Sequence, residues 1–229
     1  MKNDNPVQII PVFTSRSNSF FIRNSRNCLM IDTGMPGQTN LYLKVLKQHH
    51  IAPPEVDLII ITHTHYDHCG NVAELKQLTG AQVMVHADEA ENMTRGYTSF
   101  PRGTSLIPQL ISSLANLITG NRQKFKQVKP DIILKEKYDL NTLGFDGYVL
   151  PTPGHTAGSL CIILKDEIAF VGDTMFNIAP GTIFPPFANQ TEQLKRSWYK
   201  LIDTGAYLFY PGHGKPFEIK KLQNSLKKL

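Results

Sequence analysis

Three cysteines and a single tryptophan among 229 residues leave little room for several classes of protein. Cys28, Cys69 and Cys161 cannot all pair, and their spacing suggests no disulfide framework. Long apolar runs are missing too. The longest, such as Leu58–Ile61 and Leu160–Leu164, fall far short of the ~20 residues that span a bilayer. The opening Met1-Lys2-Asn3-Asp4-Asn5-Pro6 lacks the apolar stretch of a secretory signal. Low-complexity segments, linkers and internal repeats are absent as well. These absences predict a soluble, cytoplasmic chain with no membrane partner.

What is present fits one globular domain. Hydrophobic residues make up 41% and charged residues 19%, which excludes a disordered chain. At this length folding buries about 70% of the unfolded surface, so no disulfide is needed for a core. Lys and Arg number 24 against 19 Asp and Glu, a net charge of +5. The basic residues concentrate at Arg122–Lys137 and Lys215–Lys228, without the aromatic interleaving of a single-strand nucleic-acid platform. Nucleic acid is therefore set aside, while an anionic small-molecule substrate stays compatible with the excess.

Strand patterns occupy Val7–Phe13, Ser19–Arg23, Cys28–Asp32, Val56–Ile61 and Ala81–His86. Between them a helix starts at Thr39 as N-cap and runs to about His50, and another spans Asn71–Leu78 before Gly80. From about 92 to 130 no clear strand is seen, but Leu106, Ile107, Leu110, Ile111, Leu114, Leu117 and Ile118 make a wide helical stripe. This segment is read as a helical insertion that either covers the site as a hydrophobic lid, with Tyr97, Phe100 and Phe187, or packs on its own domain or a second copy. Strands return at Asp131–Leu134, Tyr148–Leu150, Leu160–Leu164, Ile168–Val171 and Tyr207–Tyr210. Helices over about Thr191–Ile202 and Glu218–Leu229 close the chain, the last with Ile219, Leu222, Leu226 and Leu229 on one face. The order predicts two similar halves within one domain of residues 1–229, meeting sheet to sheet with helices outside.

The chemistry concentrates in Thr62-His63-Thr64-His65-Tyr66-Asp67-His68-Cys69-Gly70-Asn71, just past an apolar strand. His63 and His65, two apart, face the same way if the segment is extended. Asp67 and His68 fall on the turn into the next helix. Imidazole with carboxylate suits zinc, iron or manganese, and the lack of thiolates argues against a purely structural site. By composition such a cluster would arise by chance in roughly one chain in two thousand, so a set of separate polar residues is a poor explanation. His155 in Pro153-Gly154-His155, Asp173 in Gly172-Asp173-Thr174 and His213 in Pro211-Gly212-His213 each follow a strand among glycines. His49 and His50 read as surface residues, and His86 as a cap or loop-orienting residue. The cysteines read as core.

Taken together, Ile31-Asp32-Thr33-Gly34, the His-x-His-x-Asp-His loop, His155, Asp173 and His213 strongly resemble the metallo-β-lactamase-fold hydrolase superfamily. The resemblance covers nearly the whole chain. It implies an α+β fold, a four-layer αβ/βα sandwich of two mixed sheets with helices outside. It further implies two divalent ions per chain: His63, His65 and His155 on one, Asp67, His68 and His213 on the other, and Asp173 bridging, with Asp32 supporting the ligand loop from behind. Zinc is the first choice and iron or manganese the alternatives. Gly172-Asp173-Thr174-Met175-Phe176 looks like the glyoxalase II branch, although a full glyoxalase II adds a helical domain and only 16 residues follow His213 here. Asp173 stands where the common β-lactam-hydrolysing enzymes carry Cys, and Phe176 where acyl-homoserine lactonases carry Tyr.

The implied reaction is hydrolysis of an ester, thioester or lactone by a metal-bridging hydroxide, with Asp67 orienting the water. Two alternatives share the constellation. One is a phosphodiesterase or nuclease of the same fold, and the other a mononuclear iron enzyme like the persulfide dioxygenases. A non-catalytic binding module has no use for seven ligands and is the weakest reading. A homodimer is compatible with the sequence.

Overall fold

The computed structural model of the chain describes residues 7–119 and 123–228. Arg122 and Leu229, which figure in the sequence reading, lie outside them. The first half builds a six-stranded mixed sheet. Its strands are β1 (Gln8–Phe13), β2 (Asn18–Arg23), β3 (Cys28–Ile31), β4 (Val56–Ile60), β5 (Gln82–His86) and β8 (Ile132–Leu134), in that spatial order. The outer hairpin β1–β2–β3 is antiparallel, and β3, β4, β5 and β8 run parallel. The second half gives a matching sheet in the order β14 (Phe217–Glu218), β13 (Leu208–Gly214), β12 (Ile168–Asn177), β11 (Leu160–Leu164), β10 (Gly147–Pro151) and β9 (Tyr138–Asp139).

Strands buried on both faces carry unbroken apolar runs, because successive residues serve opposite sides. Phe20, Ile22, Leu58 and Ile60 point between the sheets, against Leu160, Ile162 and Phe170 of the second sheet. Their neighbours Phe21, Ile59 and Ile61 point outward onto the helices α1 (Thr39–Gln48), α3 (Val72–Thr79) and α4 (Ala87–Arg95), through Tyr42, Leu46, Leu75 and Met93. On the far side, Val171 and Phe209 meet Trp198 of α6 (Thr191–Asp203) and Leu222 of α7 (Ile219–Leu226). The result is the expected α+β sandwich of four layers.

Several local expectations change. Gln38, not Thr39, is the N-cap of α1, because the Thr39 hydroxyl is turned to Asn71 Oδ1 at 3.3 Å. A helix the periodicity does not reveal, α4, follows β5, and a short antiparallel pair, β6 (Tyr97–Thr98) with β7 (Gln123–Lys124), brackets α5 (Leu106–Thr119). The apolar stripe of α5 faces solvent. Leu106 is 85% exposed and Leu117 80%, while Ser112 is the buried side, its hydroxyl donating to Pro101 O at 2.6 Å. Among the described residues no helix is long and apolar enough to cross a membrane.

Candidate metal centre

The ligand loop leaves β4 at Ile60 and passes His63 and His65 before a single helical turn, α2 (Tyr66–Cys69), that carries Asp67 and His68. Asp32, at the end of β3, holds this loop. Its φ is +57°, a left-handed conformation that aspartate tolerates better than most residues. From there the carboxylate accepts Thr62 N–H and Thr62 Oγ1–H, each at 2.8 Å, and faces His68 Nδ1 at 2.8 Å.

The second half supplies the other side chains. His155 stands on the turn after β10. Asp173 and His213 do not follow their strands as expected; they lie within longer ones. The parallel β12–β13 pairing slips on either side of Gly172, so that Phe170 opposes Tyr210, Gly172 opposes Pro211 and Phe176 opposes His213. Such a bulge re-aims side chains. Gly172 adopts a φ of +46° there, and at Gly212 a Cβ would stand 2.5 Å from Asp173 Oδ1 and 2.7 Å from His68 Cε1. Only glycine admits this approach.

All seven residues singled out in the sequence come together. Ligand atoms of His63, His65, His155 and Asp173 lie within 4.8 Å of one another, and so do those of Asp67, His68 and His213. Asp173 faces both groups. Its Oδ2 is 3.7 Å from His63 Nε2 and 3.4 Å from His155 Nε2, while Oδ1 is 3.2 Å from His68 Nε2 and 3.4 Å from His213 Nε2.

The outer nitrogens are fixed in turn. His155 Nδ1 donates to Phe187 O and His213 Nδ1 to Arg16 O, both at 2.8 Å. The Thr62 hydroxyl gives its proton to Asp32, so at 3.0 Å it accepts from His63 Nδ1. In the neutral imidazoles this leaves lone pairs on the inward nitrogens. His68 Nε2 and His213 Nε2 lie 3.3 Å apart, and His65 Nδ1 lies 3.0 Å from His155 Nε2. His63 Nε2 and Asp173 Oδ1 are buried with no hydrogen-bond partner. Converging ring nitrogens and unpartnered buried atoms suit a cation, and this donor set of imidazoles and carboxylates fits divalent metal ions.

Charge follows the same division. Burial pushes His63, His65 and His155 below the usual histidine pKa, which keeps them neutral donors. Burial opposes protonation of His68 and His213 as well, but Asp173 outweighs it and raises both. Asp173 itself resists burial through His213 and His68 and stays well below the carboxylate range. The cysteines take no part. All three are buried, and burial pushes Cys28 and Cys161 up to about 12.

Three supports were not visible in the sequence. Glu89 of α4, 3% exposed, accepts Thr64 N–H at 3.0 Å and also the Thr64 hydroxyl. Ser17 donates to Asp67 O, and Asn71 ties Thr33 O to the start of α1. Only proximity in the fold marks them, since acids, serines and asparagines recur throughout the chain. His86 does cap α4, accepting Asp88 N–H at 3.2 Å.

A family model for the metallo-beta-lactamase superfamily matches residues 13–213, a span that holds every residue of the cluster. The chain belongs to the metallo-beta-lactamase superfamily. Among its curated relatives, a hydroxyacylglutathione hydrolase of Shewanella loihica is 30% identical over 178 residues, 78% of this chain but 54% of the relative. A probable metallo-hydrolase of Streptococcus pyogenes is 27% identical over 86% of this chain and 78% of its own length. A human acyl-coenzyme A thioesterase is 28% identical over 91% of this chain and 76% of its own length. The fold agrees with that of a metallo-beta-lactamase superfamily protein from Sulfolobus tokodaii, TM-score 0.67 at 19% identity, covering 98% of this chain and 86% of that one. The superfamily assignment and the glyoxalase II-like relatives match the resemblance read from the ligand motifs.

Proposed function

We propose that this superfamily member is a metal-dependent hydrolase of acyl esters, thioesters or lactones, with thioesters foremost. In this reading His63, His65 and His155 hold one divalent ion, Asp67, His68 and His213 a second, and Asp173 reaches both. The observation that carries it is the meeting of two donor groups on one carboxylate, with Oδ2 turned to one and Oδ1 to the other. Two bound ions, zinc foremost, would supply a water acidified toward neutral pH and a Lewis acid for the scissile carbonyl. The thioester preference comes from the activities that name the thioesterase and hydroxyacylglutathione hydrolase relatives.

The chain's own residues would prepare the reaction. A pocket of about 260 Å³ opens over the cluster, with His65, Asp67, His155, Asp173 and His213 in its lining. Asp67 Oδ2, 3.6 Å from His213 Nε2 at the pocket floor, is suited to orient a water and take up its proton. Phe176 stacks on His213 at 4.4 Å between centroids and keeps that imidazole in plane. In the net reaction the water oxygen bonds to the acyl carbon, the carbon–sulfur bond breaks, and the thiol leaves with a proton.

The test begins with protein purified without chelator. Elemental analysis is expected to give about two divalent ions per chain. Turnover of an acyl thioester, an aryl ester, a lactone and a bis-aryl phosphate is then compared before and after chelation. Acyl turnover that chelation abolishes supports the reading. Turnover confined to the phosphate moves the phosphodiesterase forward, and a single iron with oxygen uptake moves the oxygenase forward.

A further inference from the structure

Two unlike parts of the pocket lining are each fastened to a different donor group by a main-chain carbonyl. In one, Phe187, whose carbonyl accepts His155 Nδ1–H, sets its ring edge-on to Phe100 at 5.1 Å between centroids. The other part holds Arg16, whose carbonyl accepts His213 Nδ1–H. Arg16 belongs to the β1–β2 turn, which is closed by Thr14 N–H to Ser17 O at 3.1 Å and stitched to the ligand loop by Ser17 and Asp67. Its guanidinium donates to the Tyr66 hydroxyl at 2.7 Å and forms no ion pair among the described residues. Both side chains line the pocket. A guanidinium pinned by a neutral hydroxyl keeps further donors for an anion, in a fork that suits planar or tetrahedral oxyanions.

Resting on the hydrolase reading, we propose that Arg16, with Tyr66 bracing it, is the specificity-determining residue for the departing group, and that this group carries a fixed negative charge. The substrate class is then an apolar acyl thioester of an anionic thiol. The acyl chain lies on Phe100 and Phe187 beside His155, and the anion on Arg16 beside His213. The hydroxyl of Tyr66 contributes a second polar contact to the same group.

Two hexanoyl thioesters test this, one of 2-mercaptoethanesulfonate and one of 2-mercaptoethanol. They differ by one charge on a sulfonate, a poor ligand for metal ions. With metal-loaded protein, Arg16→Gln should lower kcat/KM for the sulfonate about tenfold more than for the alcohol, chiefly through KM, as expected for losing one charged hydrogen-bond partner. Arg16→Lys should recover part of the difference. Equal losses on both thioesters would overturn the assignment. If the wild type cleaves neither, the hydrolase reading fails by itself, and the subsite is judged by calorimetry with hexanesulfonate. About tenfold weaker binding to Arg16→Gln upholds the anion site, and an unchanged Kd removes it.

Discussion

Asp32 shows how one residue can govern a site without facing it. It spends a left-handed backbone conformation to aim its carboxylate at Thr62 and His68, and through Thr62 it fixes the ring of His63 as well. Removing such an orienting partner typically costs 10–100-fold in metal affinity. Asp32→Ala should therefore weaken metal binding by about that factor, read by competition with a fluorescent chelator, while Asp32→Asn, which keeps an acceptor, should lose less. His63, His65, Asp67, His68, His155, Asp173 and His213 were all legible in the sequence, because rare residue types at strand ends stand out. The residues that brace them were not, with Asp32 the exception. Glu89 is one acid among several in α4, and its role exists only once α4 is laid beside Thr64.

At the scale of elements, Asp131 ties three together. Its carboxylate accepts Val83 N–H of β5 at 2.8 Å and pairs with Lys76 of α3 at 2.6 Å, just where β8 begins. Burial works against its charge, yet the bonds from Lys76 and Val83 prevail and hold its pKa below the usual aspartate value. A carboxyl depressed on folding contributes stability above its ordinary pKa of about 3.9 and loses it as pH falls below. Asp131→Asn should thus lower the urea midpoint at pH 7, with the gap to wild type closing toward pH 3. Most strands of the two sheets were legible as short apolar runs bounded by turns, as β4 and β11 are, because both of their faces meet a core. Two-residue strands such as β6 and β9 are too short to have a period. In α5 the stripe itself was read correctly but its direction was not available. Periodicity tells which side chains share a face, and the polar anchor Ser112 decides which face turns inward.

For the molecule as a whole, the cluster is where the halves join. His63, His65, Asp67 and His68 come from the loop and turn after β4 in the first sheet, and His155, Asp173 and His213 from the second half. Ions held between them would cross-link the two sheets in the folded state alone. At free metal 100-fold above Kd each ion would add about 2.7 kcal/mol, or roughly 5–10 °C in Tm for a chain of this size. Calorimetry with and without a chelator should show a fall of that order, and an unchanged Tm would mean the halves are not bridged. The same division has a consequence in time. A ribosome adding about 5–20 residues per second takes on the order of ten seconds to travel from His68 to Asp173. For that interval the nascent chain presents one half of a binding site whose other half has not been made. On the two-ion reading, metal loading would thus be a late event in the life of the chain, set by the docking of the second sheet and not by the arrival of the first histidines.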